Sequence, residues 1–272
     1  MAVVNNTEDR ENFQNDINSL NEWCNKWLIK LNLDKCKIMH IGKNNNQYEY
    51  NTMNGKFNQI LKTTTLERDI GVNISNDLKW EHHIKLIVNK ANSKLGLLAK
   101  SFRYKNKQLI KSLYCTFVRP LLEFAVPVWC PYLEKDISKL EKVQHRATKL
   151  APEIRHLPYN ERLKRLGLTT LVDRRTRGDL IQQYKIYHEF DNINWYSKQD
   201  YASSLATNGP ASNVRGHNAR LALENITQCN QRENFYLNRV AKYWNKLPSE
   251  AINAGSVNQF KNIIDKLNYR FK

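Results

Sequence analysis

Chemistry with two metal ions needs carboxylates held close together, and the acidic residues of this sequence form no such cluster. No two aspartates are adjacent, and the nearest acidic pair, Glu8–Asp9, lies at a predicted helix start, where acids favour the helix dipole. His82–His83, and Cys36 with His40, lack further ligands at metal-binding spacing. The sequence also has no glycine-rich phosphate loop and no nucleophile elbow. We therefore predict no metal site and no catalytic residue.

The cysteines indicate a reducing compartment. Five are present, none in a CxxC pair, and the odd number argues against a disulfide framework. The first residues, MAVVNNTEDREN, contain neither a basic segment nor a long apolar run, so we see no signal peptide. We expect an intracellular location, in the nucleus or the cytoplasm, and no membrane partner.

The charge of the chain points to its partners. The 272 residues carry 43 Lys and Arg against 26 Asp and Glu, a formal net charge of +17. Nucleic acid is the first candidate partner and an acidic membrane surface the second. The densest basic segment holds Lys142, His145, Arg146, Lys149, Arg155, Arg162, Lys164, Arg165, Arg174, Arg175 and Arg177. Acids interspersed among them, such as Glu141 and Asp173, leave an ordinary solvated surface as the alternative.

The elements that position these residues are mainly helical. We predict a mainly α (α+β) fold, with a small antiparallel β element in the first third, then a helical bundle and C-terminal helices. Thr7 begins a predicted helix over 7–30, and Lys37–Ile41 is a predicted strand. Asn54–Gly55 is a plausible hairpin turn. Residues 69–74 form a predicted alternating strand with Gly71 inside it, which marks a bulge or a close backbone approach.

From Trp80 onward the pattern predicts helices. Ile84, Ile87, Val88, Ala91, Leu95 and Leu98 form an apolar stripe, and Lys85, Lys90 and Lys94 lie off it. Leu113–Trp129 is apolar nearly all round, so we predict a buried helical hairpin, bent by Pro120 and Pro127. Arg119 and Glu123 should pair inside it. Asp136 and Ser256 are predicted helix caps.

Seven stretches of the chain resemble the C-terminal part of reverse transcriptases from jockey-like non-LTR (LINE-type) retrotransposons. They follow the family's order: DINSLNEWCNKWLIKLNLDKCKIMHIG, LERDIGVNIS, KANSKLGLLAKSF, SLYCTFVRPLLEFAVPVW, LEKVQHRATKL, YNERLKRLGLTTLVDRR and NRVAKYWNKLPSEAINAGSVNQFK. The family's metal-binding Tyr/Phe-Ala-Asp-Asp motif would lie upstream of the helix that begins near Thr7. The resemblance therefore implies that the fingers and most of the palm are missing, and we expect no catalysis by the isolated chain.

The resemblance also divides the chain and assigns roles. It implies a palm remnant with a primer-grip-like strand over 1–79, a thumb with connecting helices over 80–190, and a C-terminal helical extension over 225–272. The composition of 191–224, rich in Asn, Ser, Gly and Ala, indicates a linker or irregular segment.

The residues implied to contact nucleic acid come from three places. Asn32, Lys35 and Lys37 match the end of the palm, with Lys35 near the incoming nucleotide. Gly71 matches the primer-grip turn, and Lys85, Lys90 and Lys94 face the duplex. Arg146, Arg174 and Arg175 are added on charge density alone.

The implied partner is an RNA or DNA template–primer duplex, and Mg²⁺ belongs to the complete enzyme rather than to this fragment. The function expected is therefore that of a polymerase fragment that holds nucleic acid. Two alternatives stay open: a reverse transcriptase completed by another chain, and an inert transposon remnant.

Overall fold

The structure, a computed structural model, describes residues 2–42, 45–54, 57–191, 193, 217, 219–221 and 223–267. The predicted fold class is confirmed: the chain is mainly α, with small antiparallel sheets early and helices later. It divides into two compact units, Met1–His83 and Ile84–Lys272. Most of the predicted linker over 191–224 lies outside the described residues.

The first unit begins with helix α1, Thr7–Lys26, which packs on a short hairpin. Thr7 begins the helix as predicted, and Asn6 caps it, because the Asn6 side chain accepts a hydrogen bond from the Asp9 amide at 2.8 Å. The helix ends four residues earlier than predicted, and Leu28 adopts a left-handed φ of 56°. Gln14 on α1 holds the backbone of Asn51 through two hydrogen bonds of 2.8 and 3.0 Å.

Among the described residues, six short strands follow α1: β1 (Lys37–Ile38), β2 (Asn51–Asn54), β3 (Phe57–Ile60), β4 (Lys62–Thr63), β5 (Leu66–Asp69) and β6 (Val72–Ser75). The predicted hairpin is confirmed by antiparallel pairing of β2 with β3, although Gly55 lies outside the described residues. The predicted strand at Lys37 is only two residues long and pairs in parallel with β4.

The prediction of one continuous strand over 69–74 is wrong. Asp69 pairs with Val72, so Ile70 and Gly71 form the two-residue turn of an antiparallel hairpin. Both have positive φ, 41° and 88°, as a type I′ turn requires. Glycine tolerates this region, whereas Ile70 has a β-branched side chain that strains there.

In the part of the chain that the structure describes, the second unit contains most of α2 and the helices after it. These are α2 (Glu81–Ser101), α3 (Lys107–Leu113), a π-helical turn (Tyr114–Val118), α4 (Arg119–Glu123), α5 (Val126–Trp129), α6 (Glu134–Thr148), α7 (Tyr159–Leu166), α8 (Leu171–Tyr187), α9 (Asn230–Glu233), α10 (Tyr236–Trp244), α11 (Ser249–Ile252) and α12 (Val257–Lys266). Ser256 caps α12 as predicted. Asp136 does not cap α6: it lies in the first turn, is buried and pairs with Lys139.

The predicted bend in Leu113–Trp129 has an identifiable origin. The Arg119 amide bonds to the Tyr114 carbonyl five residues back, which widens the helix one residue before Pro120, a residue with no amide hydrogen to donate. The helix then ends at Glu123, where Phe124 is extended and Ala125 has a φ of 54°. Pro127 sits in the first turn of α5, where its missing donor costs nothing.

The prediction that Leu113–Trp129 is buried all round is wrong. Tyr114, Val118, Leu122, Val126 and Trp129 are buried. The opposite side is open, with Phe117, Phe124 and Val128 each more than half exposed. The predicted pair of Arg119 and Glu123 exists at 3.8 Å, but Arg174 is the closer partner of Glu123.

Helix α8 forms one wall of the main core of the second unit. Leu180 and Tyr184 pack with Trp244, Phe260 and Ile264, and the rings of Tyr184 and Phe260 stack at 4.4 Å. The helices after residue 230 therefore share a core with α8. A second apolar cluster joins Ile110 on α3 to Ala151, Ile154 and Leu166.

Candidate nucleic-acid interface

Helix α2 presents lysines to solvent, as predicted from its pattern. Lys85, Lys90 and Lys94 are exposed, while Ile84, Ala91 and Leu95 are buried. At about 100° per residue, Lys90 and Lys94 lie about 40° apart around the helix axis. Lys85 lies about 140° from Lys90. Lys90 and Lys94 therefore lie together at one border of the exposed face of α2, and Lys85 lies at the opposite border.

Arg146 lies against the side of α2 that carries Lys85. Its side chain is exposed, and its Nη1 lies 3.4 Å from Oδ1 of Asn92, which is two helical turns after Lys85 on the same side of α2. Of the arginines predicted on charge density, Arg146 is the one that the structure brings to the lysine-bearing helix.

An acid-free run surrounds these lysines. Residues 82–122 contain nine Lys and Arg and no Asp or Glu. The nine are Lys85, Lys90, Lys94, Lys100, Arg103, Lys105, Lys107, Lys111 and Arg119. The number of basic residues alone favoured the later segment, 142–177, as the nucleic-acid contact, although acids such as Asp173 are interspersed there. The absence of acids over this length of sequence is the signal that makes α2 and α3 the candidate surface for phosphate contacts.

Arg174 is engaged inside the second unit. It forms a two-pronged ion pair with Glu123, in which Nη2 donates to Oε2 at 3.0 Å and Nε donates to Oε1. This hydrogen bonding to Glu123 raises the pKa of the Arg174 guanidinium. Because the fork of the guanidinium is filled by a carboxylate, a phosphate would have to displace Glu123 to bind it.

Arg175 is buried, with 4% of its surface exposed. Burial lowers the pKa of its guanidinium. Arg162 is also buried, and Arg177 pairs with Asp265 through bonds of 2.7 and 2.8 Å. These placements argue against the prediction that Arg174 and Arg175 contact nucleic acid, since Arg174 is held by Glu123 and Arg175 is buried.

The remaining predicted residues lie in the first unit. Asn32 makes an Asx turn, in which its Oδ1 accepts from the Asp34 amide at 3.1 Å. Lys35 is exposed beside a shallow depression of about 440 Å³ that Asn32, Asp34 and Gln59 help to line. Lys37 donates to Glu67 at 2.6 Å, and this bond lowers the pKa of the Glu67 carboxyl.

Gly71 lies at the tip of the β5–β6 hairpin beside Ile70, which is 87% exposed. The tip is therefore open to solvent at Ile70, whereas Gly71 is half-buried. A main chain at a glycine can be approached closely by a ligand, because no side chain intervenes.

Within the described ranges, no three His, Cys, Asp or Glu side chains come together in a way that could hold a metal ion. Across those same ranges, none of the helices combines the length and the apolar character that crossing a bilayer requires.

Comparison with known proteins gives little further guidance. The chain is similar to an uncharacterized protein of Caenorhabditis elegans, with 26% identity over 123 residues. That match covers 44% of this chain and 60% of the relative. No family model matches the chain. No solved structure matches it either.

Proposed function

We propose that this chain holds a primer–template duplex of RNA or DNA through the exposed cations of α2 and its neighbours. The observation that carries the proposal is the run over 82–122, which contains nine cations and no acid; of the nine, Arg119 pairs with Glu123 just beyond the run. Its exposed members on α2 are Lys85, Lys90, Lys94 and Lys100.

The physical basis is counterion release. Each lysine that neutralises a phosphate frees a condensed cation from the nucleic acid, so affinity is independent of sequence and falls as salt rises. The run over 82–122 contains no acid of its own that would weaken the local positive potential. In the later basic segment, carboxylates such as Glu123 and Asp265 already occupy arginines.

The substrate and the cellular setting come from the resemblance to retrotransposon reverse transcriptases. It supports the thumb's role of gripping the duplex, with polymerase chemistry and its Mg²⁺ belonging to the complete enzyme. The proposal places the chain in the nucleus or the cytoplasm, where such a duplex is found. Asn32, Lys35, Lys37 and Gly71 belong to the proposal on the resemblance alone.

A charge-matched comparison tests the proposal. One variant replaces Lys85, Lys90 and Lys94 by Ala, and the control replaces three exposed lysines nearer the C-terminus, Lys242, Lys246 and Lys266. Both lose three charges. We expect the α2 variant to bind a labelled 20-base-pair duplex at least tenfold more weakly than the control at about 100 mM salt.

Fluorescence anisotropy measures the affinity, and circular dichroism checks that both variants stay folded. Equal weakening of the two variants would show that only net charge matters. Absence of duplex binding by the unaltered chain would favour the inert-remnant alternative.

A further inference from the structure

Tyr104 is the most exposed aromatic side chain in the described part of the molecule, at 82%. It lies in the five-residue connection between the end of α2 at Ser101 and the start of α3 at Lys107. Phe102, two residues earlier, is half-buried. Asn106 caps α3 by accepting from the Leu109 amide at 2.8 Å. The tyrosine ring is therefore carried on a short connection that is anchored on both sides.

Cations surround this ring in the sequence. Lys100, Arg103, Lys105 and Lys107 fall within eight residues, and the nearest acids along the chain are Glu81 and Glu123. Among the residues that the structure describes, none of the four cations forms an ion pair. They are therefore available for phosphate contacts.

An exposed ring adds nothing to the grip on a continuous duplex, where each base already stacks on its neighbours. An unpaired base has a free face, and stacking it on an aromatic side chain contributes about 1–3 kcal/mol. A ring flanked by cations is the combination that proteins use to bind single strands, because the ring takes the base and the cations take the phosphates.

We infer that residues 100–107 bind single-stranded nucleic acid, with Tyr104 stacked on an unpaired base. This inference rests on the proposed function and adds a substrate class to it: a strand with unpaired bases, such as the overhang of a primer–template. Lys100, Arg103, Lys105 and Lys107 contact the phosphates on either side of that base.

Three probes separate stacking from charge: a 12-nucleotide oligo(dT), a 12-unit abasic strand with the same phosphates, and a blunt 20-base-pair duplex. Anisotropy titrations use the full chain and the Tyr104→Ala and Tyr104→Phe variants. Phe124→Ala, at another exposed aromatic just beyond the acid-free run, is the matched control. Because Tyr104 is exposed, Tyr104→Ala should melt at the same temperature as the unaltered chain.

We expect Tyr104→Ala to bind oligo(dT) about tenfold or more weakly, while Tyr104→Phe and Phe124→Ala change its affinity less than twofold. The unaltered chain should prefer oligo(dT) over the abasic strand, and Tyr104→Ala should lose that preference. Duplex affinity should be the same in all variants.

Equal affinity of the unaltered chain for oligo(dT) and the abasic strand, or parallel loss of duplex and single-strand binding in Tyr104→Ala, would overturn the stacking inference. Either result leaves the duplex-holding proposal intact. Absence of binding to all three probes would overturn both.

Discussion

Arg239 and Asp179 show how single charged residues hold the second unit together. Their side chains are 13% and 7% exposed, and the guanidinium donates to both carboxylate oxygens at 2.8 and 3.0 Å. Arg239 also donates to the Pro127 carbonyl at 2.8 Å, which ties α10 to α5. Burial lowers the pKa of Arg239, but the hydrogen bonds to Asp179 and the attraction of its charge together raise that pKa above its usual value.

Removal of one partner from this pair should destabilise the fold. We expect Arg239→Ala to lower the free energy of unfolding by about 3–5 kcal/mol, because Asp179 would be left buried without its counter-charge. Urea denaturation measures the change. Lys242→Ala on the same helix is the control: its pair with Glu233 is about half exposed, so the loss should be about 0–1 kcal/mol. Similar losses in both variants would contradict this account.

His145 should make stability depend on pH. Burial, and then the nearby Arg162 and Lys149, lower the pKa of His145 below its usual 6.5. The folded state therefore binds fewer protons than the unfolded state over the interval below pH 6.5, so stability rises with pH there. The stabilising effect is complete above pH 6.5 and is lost as pH falls toward the folded-state pKa.

We expect His145→Gln to reduce the loss of unfolding free energy between about pH 7 and pH 5. The exposed His156, replaced in the same way, provides the control. Urea denaturation at several pH values measures both. If the His145 variant retains the full pH dependence of the unaltered chain, the assignment to His145 is wrong.

At the level of single elements, the β5–β6 hairpin carries a local conflict between sequence and geometry. The turn requires positive φ at both central residues, and Asn-Gly is the pair that suits it best. Here Ile70 occupies the first position with a φ of 41°, and its side chain is exposed, so packing does not compensate for the strain.

We expect Ile70→Asn to raise the free energy of unfolding by about 1 kcal/mol, because it relieves left-handed strain without loss of a buried contact. Gly71→Ala should act in the opposite direction by a similar amount, since Gly71 has a φ of 88°. Thermal denaturation compares the two. Destabilisation by Ile70→Asn would show that the isoleucine makes a contact that outweighs its strain.

Local sequence predicted much of the helical framework, because periodicity and capping act within a few residues. The α2 stripe and the Ser256 cap are examples. The pairing of Arg174 and the burial of Arg175 could not be predicted in this way. Arg174 meets Glu123, which is 51 residues away, and Arg239 meets Asp179 across 60 residues. A charged helix face looks solvated until its distant partners are known.

The same reasoning explains the error at Leu113–Trp129. Apolar composition on all sides predicted complete burial, but the structure buries one side against the core and leaves Phe117 and Phe124 open. Composition measures what a helix can bury, whereas the number of neighbouring elements decides how much of it is covered.

For the whole molecule, the central claim is that a net charge of +17 is organised into a duplex-holding surface rather than spread evenly. In the later basic segment, Arg174 and Arg177 pair with carboxylates and Arg162 and Arg175 are buried, whereas the run over 82–122 has no acid. The claim therefore predicts both salt-dependent binding and a specific set of lysines responsible for it.

The most direct test is the salt dependence of duplex affinity. With roughly 4–6 phosphates contacted, a plot of log affinity against log salt should have a slope of about −4 to −5 for the full chain. Replacing Lys85, Lys90 and Lys94 by Ala should make the slope shallower by about 0.9 for each lost contact, while the Lys242, Lys246 and Lys266 variant keeps the original slope. A flat salt dependence, or equal slopes for the two triple variants, would contradict the account.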